Sequence, residues 1–183
     1  MRITGGDFKG RNFSFLAGSK ERPTSDFLRE ALFSLLGSLK SKKFLDLFAG
    51  SGSVGMEAAS RGASEVFLVE KSKKLTAVAA KNIKHLSLED KCKVICAGAE
   101  EALRYLARKN YRADVIFADP PYNKNLVAAT LDGLSRYRVL SEEGVIIIQH
   151  SVKEDCGTYS GKNLYQVKQK IYGENALTFF AGE

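Results

Sequence analysis

From residue 44 onward, short apolar runs alternate with longer stretches in which apolar residues recur at helical spacing. A short apolar run without polar alternation is typical of a strand buried on both faces, as in a parallel sheet. The predicted strands lie at 44–48, 66–69, 93–96, 114–118 and 144–149. The predicted helices begin near residue 53 and cover 72–86, 100–108 and 126–135. This alternation predicts an α/β fold, a doubly wound Rossmann-like sheet with helices on both faces.

The two ends of the chain depart from this alternation. Two further strands are predicted at 163–171 and 176–181, and the four residues between them are too few for a helical crossover. They should form a C-terminal antiparallel hairpin, which completes a mostly parallel sheet of seven strands. Glycines and alternating aromatic residues predict a short N-terminal hairpin. Apolar residues at helical spacing then predict a helix that Thr24 or Ser25 caps and that ends near Gly37.

The composition indicates one domain. The chain has 183 residues, of which 44% are hydrophobic, which is enough for one well-packed core and too little for two ordinary ones. We divide this domain, 1–183, into an N-terminal segment, 1–43, and a core, 44–183. No apolar run approaches the roughly 18 residues of a membrane span, and the first residues lack the apolar centre of a signal peptide. We therefore expect a cytoplasmic protein.

Cysteine and histidine residues show no metal-binding pattern. The three cysteines, Cys92, Cys96 and Cys156, have no paired spacing, and His85 and His150 add no set of ligands. We predict no metal and no disulfide. Cys92 and Cys96 should lie on one face of a strand as small buried apolar side chains.

The formal charge of +7 is concentrated at the N-terminal end. Residues 1–43 hold nine Lys or Arg against four Asp or Glu, with several phenylalanines among them. Such a segment can bind a phosphate backbone, because neutralised phosphates release counterions, and a solvated basic face is the alternative. The candidate contacts to nucleic acid are Arg2, Lys9, Arg11, Arg22, Thr24 and Arg29. Arg29 is ambiguous, because it could instead pair within its helix or with a cofactor carboxylate.

A glycine-rich loop follows the first predicted strand and opens the next helix. Gly50, Gly52 and Gly55 have the spacing G-x-G-x-x-G, and Glu70 follows 20 residues after Gly50, at the end of the second strand. This combination predicts an adenosine-bearing cofactor, either a dinucleotide or S-adenosylmethionine, with Glu70 on the ribose hydroxyls. Glycines that serve only a tight turn are the alternative. The candidate cofactor contacts are Asp46, Phe48, Ala49, Gly50, Ser51, Gly52, Gly55, Glu70, Lys71 and Asp119.

A second loop, Asp119-Pro120-Pro121-Tyr122, follows the fourth predicted strand. The prolines stiffen the turn and offer no amide donor, so the loop presents the Asp119 carboxylate and carbonyl oxygens beside the Tyr122 ring. These groups suit the planar amine of a nucleobase. Hydride transfer has no use for such a loop, whereas amine methylation does. A strand-ending turn in which Asp119 only caps a helix is the alternative.

Nearly from end to end, the chain resembles the bacterial 16S ribosomal RNA guanine-N2 methyltransferases of the RsmD type. Besides the two loops, the resemblance rests on Arg2-Ile3-Thr4-Gly5-Gly6 with Gly10-Arg11, on Arg22-Pro23-Thr24 with Arg29-Glu30-Ala31-Leu32-Phe33, and on Ser60-Arg61-Gly62-Ala63. It implies a Rossmann-like enzyme that uses S-adenosylmethionine to methylate the 2-amino group of one guanosine in small-subunit ribosomal RNA, within an assembled subunit.

Our hypothesis for the site is direct in-line transfer of the methyl group. Asp119 and the Pro120 carbonyl would hold the amine, Tyr122 would stack on the flipped base, and no covalent enzyme intermediate would form. We expect a monomer. A DNA or RNA methyltransferase that acts on an adenine or cytosine amine stays an alternative, as do a nicotinamide oxidoreductase and a noncatalytic RNA-binding module.

Two positions depart from the family pattern. Relatives often carry Asp or Asn before an alanine after the third strand, where this chain has Gly98 and Ala99, so the adenine contact would fall to backbone atoms or to Glu100. Gln149 stands where an acidic residue is expected. We interpret the next residue, His150, as a strand-end histidine without a role in catalysis.

Overall fold

The computed structural model of the protein describes residues 1–15, 25–121, 126–154 and 163–183. Its strands are β1 (Lys43–Asp46), β2 (Glu65–Glu70), β3 (Cys92–Cys96), β4 (Ala113–Ala118), β5 (Leu140–Ser151), β6 (Leu164–Tyr172) and β7 (Asn175–Gly182). Its helices are α1 (Asp26–Leu36), α2 (Ser53–Ser60), α3 (Lys73–His85), α4 (Ala99–Arg108) and α5 (Leu126–Tyr137). Each strand and helix predicted after residue 24 is present. Strand β5 begins earlier than predicted, because Leu140 already pairs with Ala113.

The strands form one seven-stranded sheet in the order β3-β2-β1-β4-β5-β7-β6. Strands β1 to β5 pair in parallel, whereas β7 is antiparallel to both β5 and β6. This arrangement confirms the mostly parallel sheet with a C-terminal antiparallel hairpin. The strand order reverses between β1 and β4, so the loops that follow these strands lie side by side at the carboxyl edge of the sheet.

Helices cover both faces of the sheet because successive residues of its central strands are apolar. Phe44 and Leu45 in β1 are both fully buried, but they point to opposite faces and belong to different apolar clusters. The first face, which includes Phe44, is packed against α1, α2 and α3. The second face, which includes Leu45, is packed against α4 and α5.

Residues 1–15 form a short irregular hairpin that is anchored to α2. Arg2 and Asn12 form an antiparallel bridge. The Ile3 and Phe13 amides donate to the Arg11 and Met1 carbonyls, and the Gly10 amide donates to the Ile3 carbonyl, each at 2.9 Å, so the predicted hairpin is present but has no regular strands. The Thr4 amide and hydroxyl each donate a hydrogen bond of 2.8 Å to the Glu57 carboxylate. Because Glu57 is fully buried in α2, it fixes the segment against the core.

Arg29 of α1 is fully buried beside the same carboxylate. Its Nε atom lies 3.3 Å from Glu57 Oε2, and its Nη2 donates to the Arg2 carbonyl at 2.6 Å and to Asp26 Oδ1 at 2.9 Å. The candidate RNA contact of Arg29 is therefore wrong, because its guanidinium is enclosed, and the alternative that it pairs within its helix is the one observed, at Asp26. It also neutralises Glu57 and ties α1 to residues 1–15.

The cysteines follow their places in the sheet. Cys92 is buried as predicted, but Cys96 is exposed, because it ends β3 at the edge of the sheet, and both are free thiols. Cys156 lies outside the described residues. Within the described ranges, no helix is long and apolar enough to cross a membrane, and no cluster of His, Cys, Asp or Glu could hold a metal ion.

Candidate functional site

A cavity of about 590 Å³ opens at the carboxyl edge of the sheet. Its volume is in the range of small-molecule sites. It is lined by the loops that follow β1, β2, β3 and β4 and by the end of β5. The predicted site residues that line it are Asp46, Phe48, Ala49, Gly50, Ser51, Glu70, Lys71, Ala99, Asp119, Pro120 and Pro121. Tyr122 lies outside the described residues.

The three glycines of the loop after β1 are required for different structural reasons. Gly50 has φ +55°, and a Cβ atom there would meet no atom within 4 Å, so its backbone is open to the cavity. A Cβ at Gly52 or Gly55 would lie 2.9 Å or 2.8 Å from the nearest atom of the Leu68 side chain. Gly52 and Gly55 do not line the cavity; they let α2 approach β2. The structure thus gives both glycines a packing role, and their contact with the cofactor stays a prediction.

Glu70 ends β2 and is almost fully buried in the cavity wall. One of its oxygens accepts a hydrogen bond from the Gly50 amide at 3.1 Å, and the other accepts one from the Ser72 amide at 2.8 Å. These two bonds fix the carboxylate against the glycine loop. A carboxylate has about four lone-pair sites, so Glu70 can still accept further bonds from a ligand.

Asp46 lies below the loop and is buried. Its Oδ2 accepts a hydrogen bond of 3.1 Å from the Gly55 amide, whereas its Oδ1 is buried without a hydrogen-bond partner in the part of the chain that is described. Burial raises the pKa of the Asp46 carboxyl to about 8, and the negative charges of Asp119 and Glu70 act in the same direction. The group is therefore mainly protonated at neutral pH and ready to ionise beside a cation.

Asp119 follows β4 and is oriented by a residue of β5. The register pairs Ala118 with Ile148, so the residues that follow them, Asp119 and Gln149, lie side by side. The Gln149 side-chain amide donates a hydrogen bond of 2.9 Å to Asp119 Oδ2. Gln149 is buried and lines the cavity, a role that we did not predict. The sequence feature that could have indicated this role is the position of Gln149 at the end of the apolar run that forms the strand next to β4.

The loop after β3 reaches the cavity through its backbone. Gly98 and Ala99 line the cavity, but Glu100 does not. Its exposed carboxylate lies 3.3 Å from both Arg136 Nη1 and the Tyr137 hydroxyl on α5. Of the two alternatives for the adenine contact, the structure therefore favours backbone atoms of this loop over Glu100, whose side chain is directed to α5.

His150 is buried and hydrogen-bonded at both ring nitrogens. Its Nδ1 donates to the Ser151 carbonyl at 2.8 Å, which leaves Nε2 to accept from the Thr178 hydroxyl, also at 2.8 Å. The Thr178 oxygen in turn accepts from Gln169 at 2.9 Å. His150 does not line the cavity. These contacts support its interpretation as a strand-end histidine.

The N-terminal segment reaches the cavity through Asn82 of α3. The Asn82 side chain bonds the Ser14 amide and carbonyl, both at 2.9 Å, and the Ser51 carbonyl of the glycine loop at 3.1 Å. Phe15, next in the chain, lines the cavity. This link was not predicted, because an asparagine inside an amphipathic helix is no signal for a site. Of the residues predicted to contact RNA, Arg2, Lys9 and Arg11 are exposed, whereas Arg22 and Thr24 lie outside the described residues.

Comparisons with known proteins agree with this architecture. A family model described as Conserved hypothetical protein 95 matches residues 1–181. Ribosomal RNA small subunit methyltransferase D of Escherichia coli K12 is 30% identical over all of this chain and 90% of its own length. The protein of that name from Buchnera aphidicola of Acyrthosiphon pisum is 35% identical over 91% of this chain and 86% of its own.

The fold is also found in solved structures. A protein of Thermus thermophilus, described as hypothetical, is 30% identical and has a TM-score of 0.83, with 100% of this chain and 99% of that chain covered. The fold class is that of the class I methyltransferases, as predicted. By its sequence over almost its whole length and by its fold, the chain belongs to the Conserved hypothetical protein 95 family, the RsmD family.

Proposed function

We propose that this protein transfers a methyl group from S-adenosylmethionine to the 2-amino group of a guanosine in small-subunit ribosomal RNA. The observation that carries this proposal is the convergence of Asp119, Glu70 and the buried Asp46 on one cavity. The relatives named for ribosomal RNA methylation support the substrate class.

The charge of the cavity favours this cofactor over a dinucleotide. The described lining residues include the carboxylates of Glu70, Asp119 and Glu174, the buried carboxyl of Asp46, and one basic side chain, Lys71. An acidic cavity attracts a cationic ligand and repels the pyrophosphate of a nicotinamide cofactor. S-adenosylmethionine supplies, when bound, an electrophilic methyl group on a positively charged sulfur.

Each part of the cavity has a matching role. Glu70, fixed by the Gly50 and Ser72 amides, would accept hydrogen bonds from the ribose hydroxyls. The unpartnered Oδ1 of Asp46 would accept a hydrogen bond at the cationic end of the cofactor. Backbone atoms at Gly98 and Ala99 would contact the adenine.

The Asp119 loop would hold the amine of the target base. Gln149 fixes the Asp119 carboxylate, so that its oxygens and the Pro120 carbonyl can accept the two N–H groups of a planar amine. Holding the amine by both hydrogens directs its nitrogen toward the methyl group, and the enzyme acts mainly by positioning. A base in a folded RNA must leave its stack to reach such a cavity, and Tyr122 would stack on it. Arg2, Lys9 and Arg11 would bind phosphates.

The test separates the two halves of the site. Asp119→Ala should slow single-turnover methyl transfer at least about tenfold, because a hydrogen bond to a charged group contributes about 1.5 to 3 kcal/mol. Its affinity for S-adenosylmethionine should be nearly unchanged. Glu70→Ala should weaken cofactor binding by a similar factor in calorimetry. If Asp119→Ala transfers the methyl group at the wild-type rate, Asp119 does not hold the amine of the target base.

The target is tested in cells. Mass spectrometry of 16S ribosomal RNA from a strain that lacks the protein should show the loss of one N2-methylguanosine, which wild-type protein restores and Asp119→Ala does not. A lost methyladenosine or methylcytosine would contradict the guanine proposal, and an unchanged set of modifications would contradict the RNA substrate. If small subunits isolated from that strain are methylated better than naked RNA, the substrate is the assembled particle.

A further inference from the structure

We propose that Phe27 and the lysine-bearing face of β6 form a second RNA-binding surface beside the cavity, on which Phe27 stacks an unpaired base next to the target nucleotide. This inference rests on the proposed function and concerns a part of the molecule that carries none of the residues discussed for catalysis.

The first observation is an exposed aromatic side chain at the rim of the cavity. Phe27 lies in the first turn of α1 and is 67% exposed. Its neighbours Ser25 and Leu28 line the cavity. The Tyr172 ring meets the Phe27 ring edge to face, with 5.9 Å between centroids. This contact holds Phe27 in place from one side and leaves most of its surface to solvent.

The second observation is the basic strand that ends at Tyr172. Strand β6 lies at the edge of the sheet, and its register with β7 pairs Lys168 with Phe179 and Lys170 with Leu177. Because side chains alternate along a strand, Lys168, Lys170 and Tyr172 share the first face of the sheet, about 6.6 Å apart from one to the next. Both lysines are exposed.

The charge of this face favours RNA as the occupant. Residues 163–173 contain two lysines and no acidic residue. Within the described ranges, neither lysine forms an ion pair, and the Lys168 ammonium lies 4.4 Å from the centre of the Phe179 ring. The nearest acidic residue along the chain, Glu174, lines the cavity instead. An aromatic ring followed by a row of cations is the arrangement by which proteins bind single-stranded nucleic acid.

The surface is continuous with the cavity. The turn after β6 leads into Glu174 and Asn175, which line the cavity on one side, while Ser25 and Leu28 line it near Phe27. A nucleotide chain whose target base enters the cavity would therefore pass over Phe27. Its next phosphates would run along β6 toward Lys170 and Lys168.

The stacking role is tested by Phe27→Ala, with Phe27→Trp as the variant that keeps a ring. The probe is a fluorescein-labelled single-stranded RNA of about 12 nucleotides with one central guanosine, measured by anisotropy. Loss of one stacked base should weaken binding about 5- to 150-fold in Phe27→Ala, and Phe27→Trp should bind like wild type. Tyr105→Ala removes an aromatic side chain that is 49% exposed on α4, on the second face, and should change nothing.

The lysines are tested by the salt dependence of the same binding. Lys168→Gln with Lys170→Gln should lower the slope of log affinity against log salt by about 1.4, since each phosphate contact on a single strand contributes about 0.7. Arg104→Gln with Arg108→Gln makes the same change in net charge at exposed positions of α4 and should leave the slope unchanged.

The outcomes separate this inference from the proposed function. If wild-type protein methylates small ribosomal subunits and Phe27→Ala does so with the same kcat/KM and the same RNA affinity, the surface is refuted and the function stands. If wild-type protein transfers no methyl group to RNA, the proposed function fails. A loss in Phe27→Ala that Phe27→Trp does not restore refutes stacking, because any large aromatic ring should support it.

Discussion

In wild-type protein, cofactor binding should release a proton from the Asp46 carboxyl. Replacement of Asp46 by asparagine should abolish this release. In the free protein, burial together with the charges of Asp119 and Glu70 raises the pKa of Asp46 to about 8, despite the hydrogen bond from Gly55. At pH 7, roughly nine tenths of the molecules then carry a protonated Asp46. A cationic ligand beside the carboxyl favours its ionised form, so binding should release this proton.

The assay is calorimetric titration with S-adenosylmethionine at pH 7 in two buffers of different ionisation enthalpy. Wild-type protein should release about 0.9 proton more per bound cofactor than Asp46→Asn. The difference between the two proteins is the useful quantity, because the amino group of the cofactor itself titrates near pH 8. Relative to the variant, wild-type affinity should rise by up to about tenfold per pH unit below pH 8 and level off above it.

The same carboxyl has the opposite effect on the stability of the free protein. Its pKa is raised from 3.8 to about 8, so the folded state binds the proton more tightly and stability falls as the pH rises through this window. At 1.36 kcal/mol per pH unit, ionised Asp46 destabilises the fold by on the order of 5 kcal/mol above pH 8. Asp46→Asn should therefore resist urea better at pH 8.5 while it binds the cofactor more weakly. Equal proton release by both proteins, or a less stable variant at pH 8.5, would refute the reasoning.

Two further predictions concern the scaffold. Glu57→Gln removes the buried charge that Arg29 neutralises and should cost about 3 to 5 kcal/mol of folding free energy in urea denaturation; a wild-type midpoint would show that the pair is dispensable. Gly55→Ala places a Cβ 2.8 Å from the Leu68 side chain and should cost about 1 to 3 kcal/mol, read as a lower Tm, with cofactor affinity of the folded protein nearly unchanged. A lost affinity at unchanged Tm would mean that Gly55 contacts the cofactor.

The two loops of the site could be predicted because their signals are local. Each loop directly follows an apolar strand, and the carboxyl ends of neighbouring parallel strands must meet at one edge. The hydrogen bond between the Gly50 amide and Glu70 joins residues 20 positions apart, which is one βαβ step along the chain. The glycines of the motif nevertheless serve two different purposes. Gly50 leaves the backbone open to a ligand, whereas Gly55 leaves room for the side chain of Leu68 in the next strand, and sequence alone cannot distinguish the two.

Arg29 shows where prediction from sequence fails for a physical reason. The cost of burying a guanidinium depends on the partners that it finds. One partner, Asp26, lies three residues earlier in α1, so a pairing within the helix could be predicted. The other two, Glu57 and the Arg2 carbonyl, belong to other parts of the chain, and no periodicity within α1 indicates them. The sequence therefore could not distinguish a buried arginine from a surface cation.

Gln149 is a different case, because its role could have been worked out. The parallel order of β4 and β5 follows from the alternating pattern, and the register then places the residue after Ile148 beside the residue after Ala118. A polar residue at that point faces the Asp119 carboxylate, and an amide can donate to it where a second carboxylate would repel it. At position 149 a neutral donor therefore fixes one Asp119 oxygen within the acidic cavity.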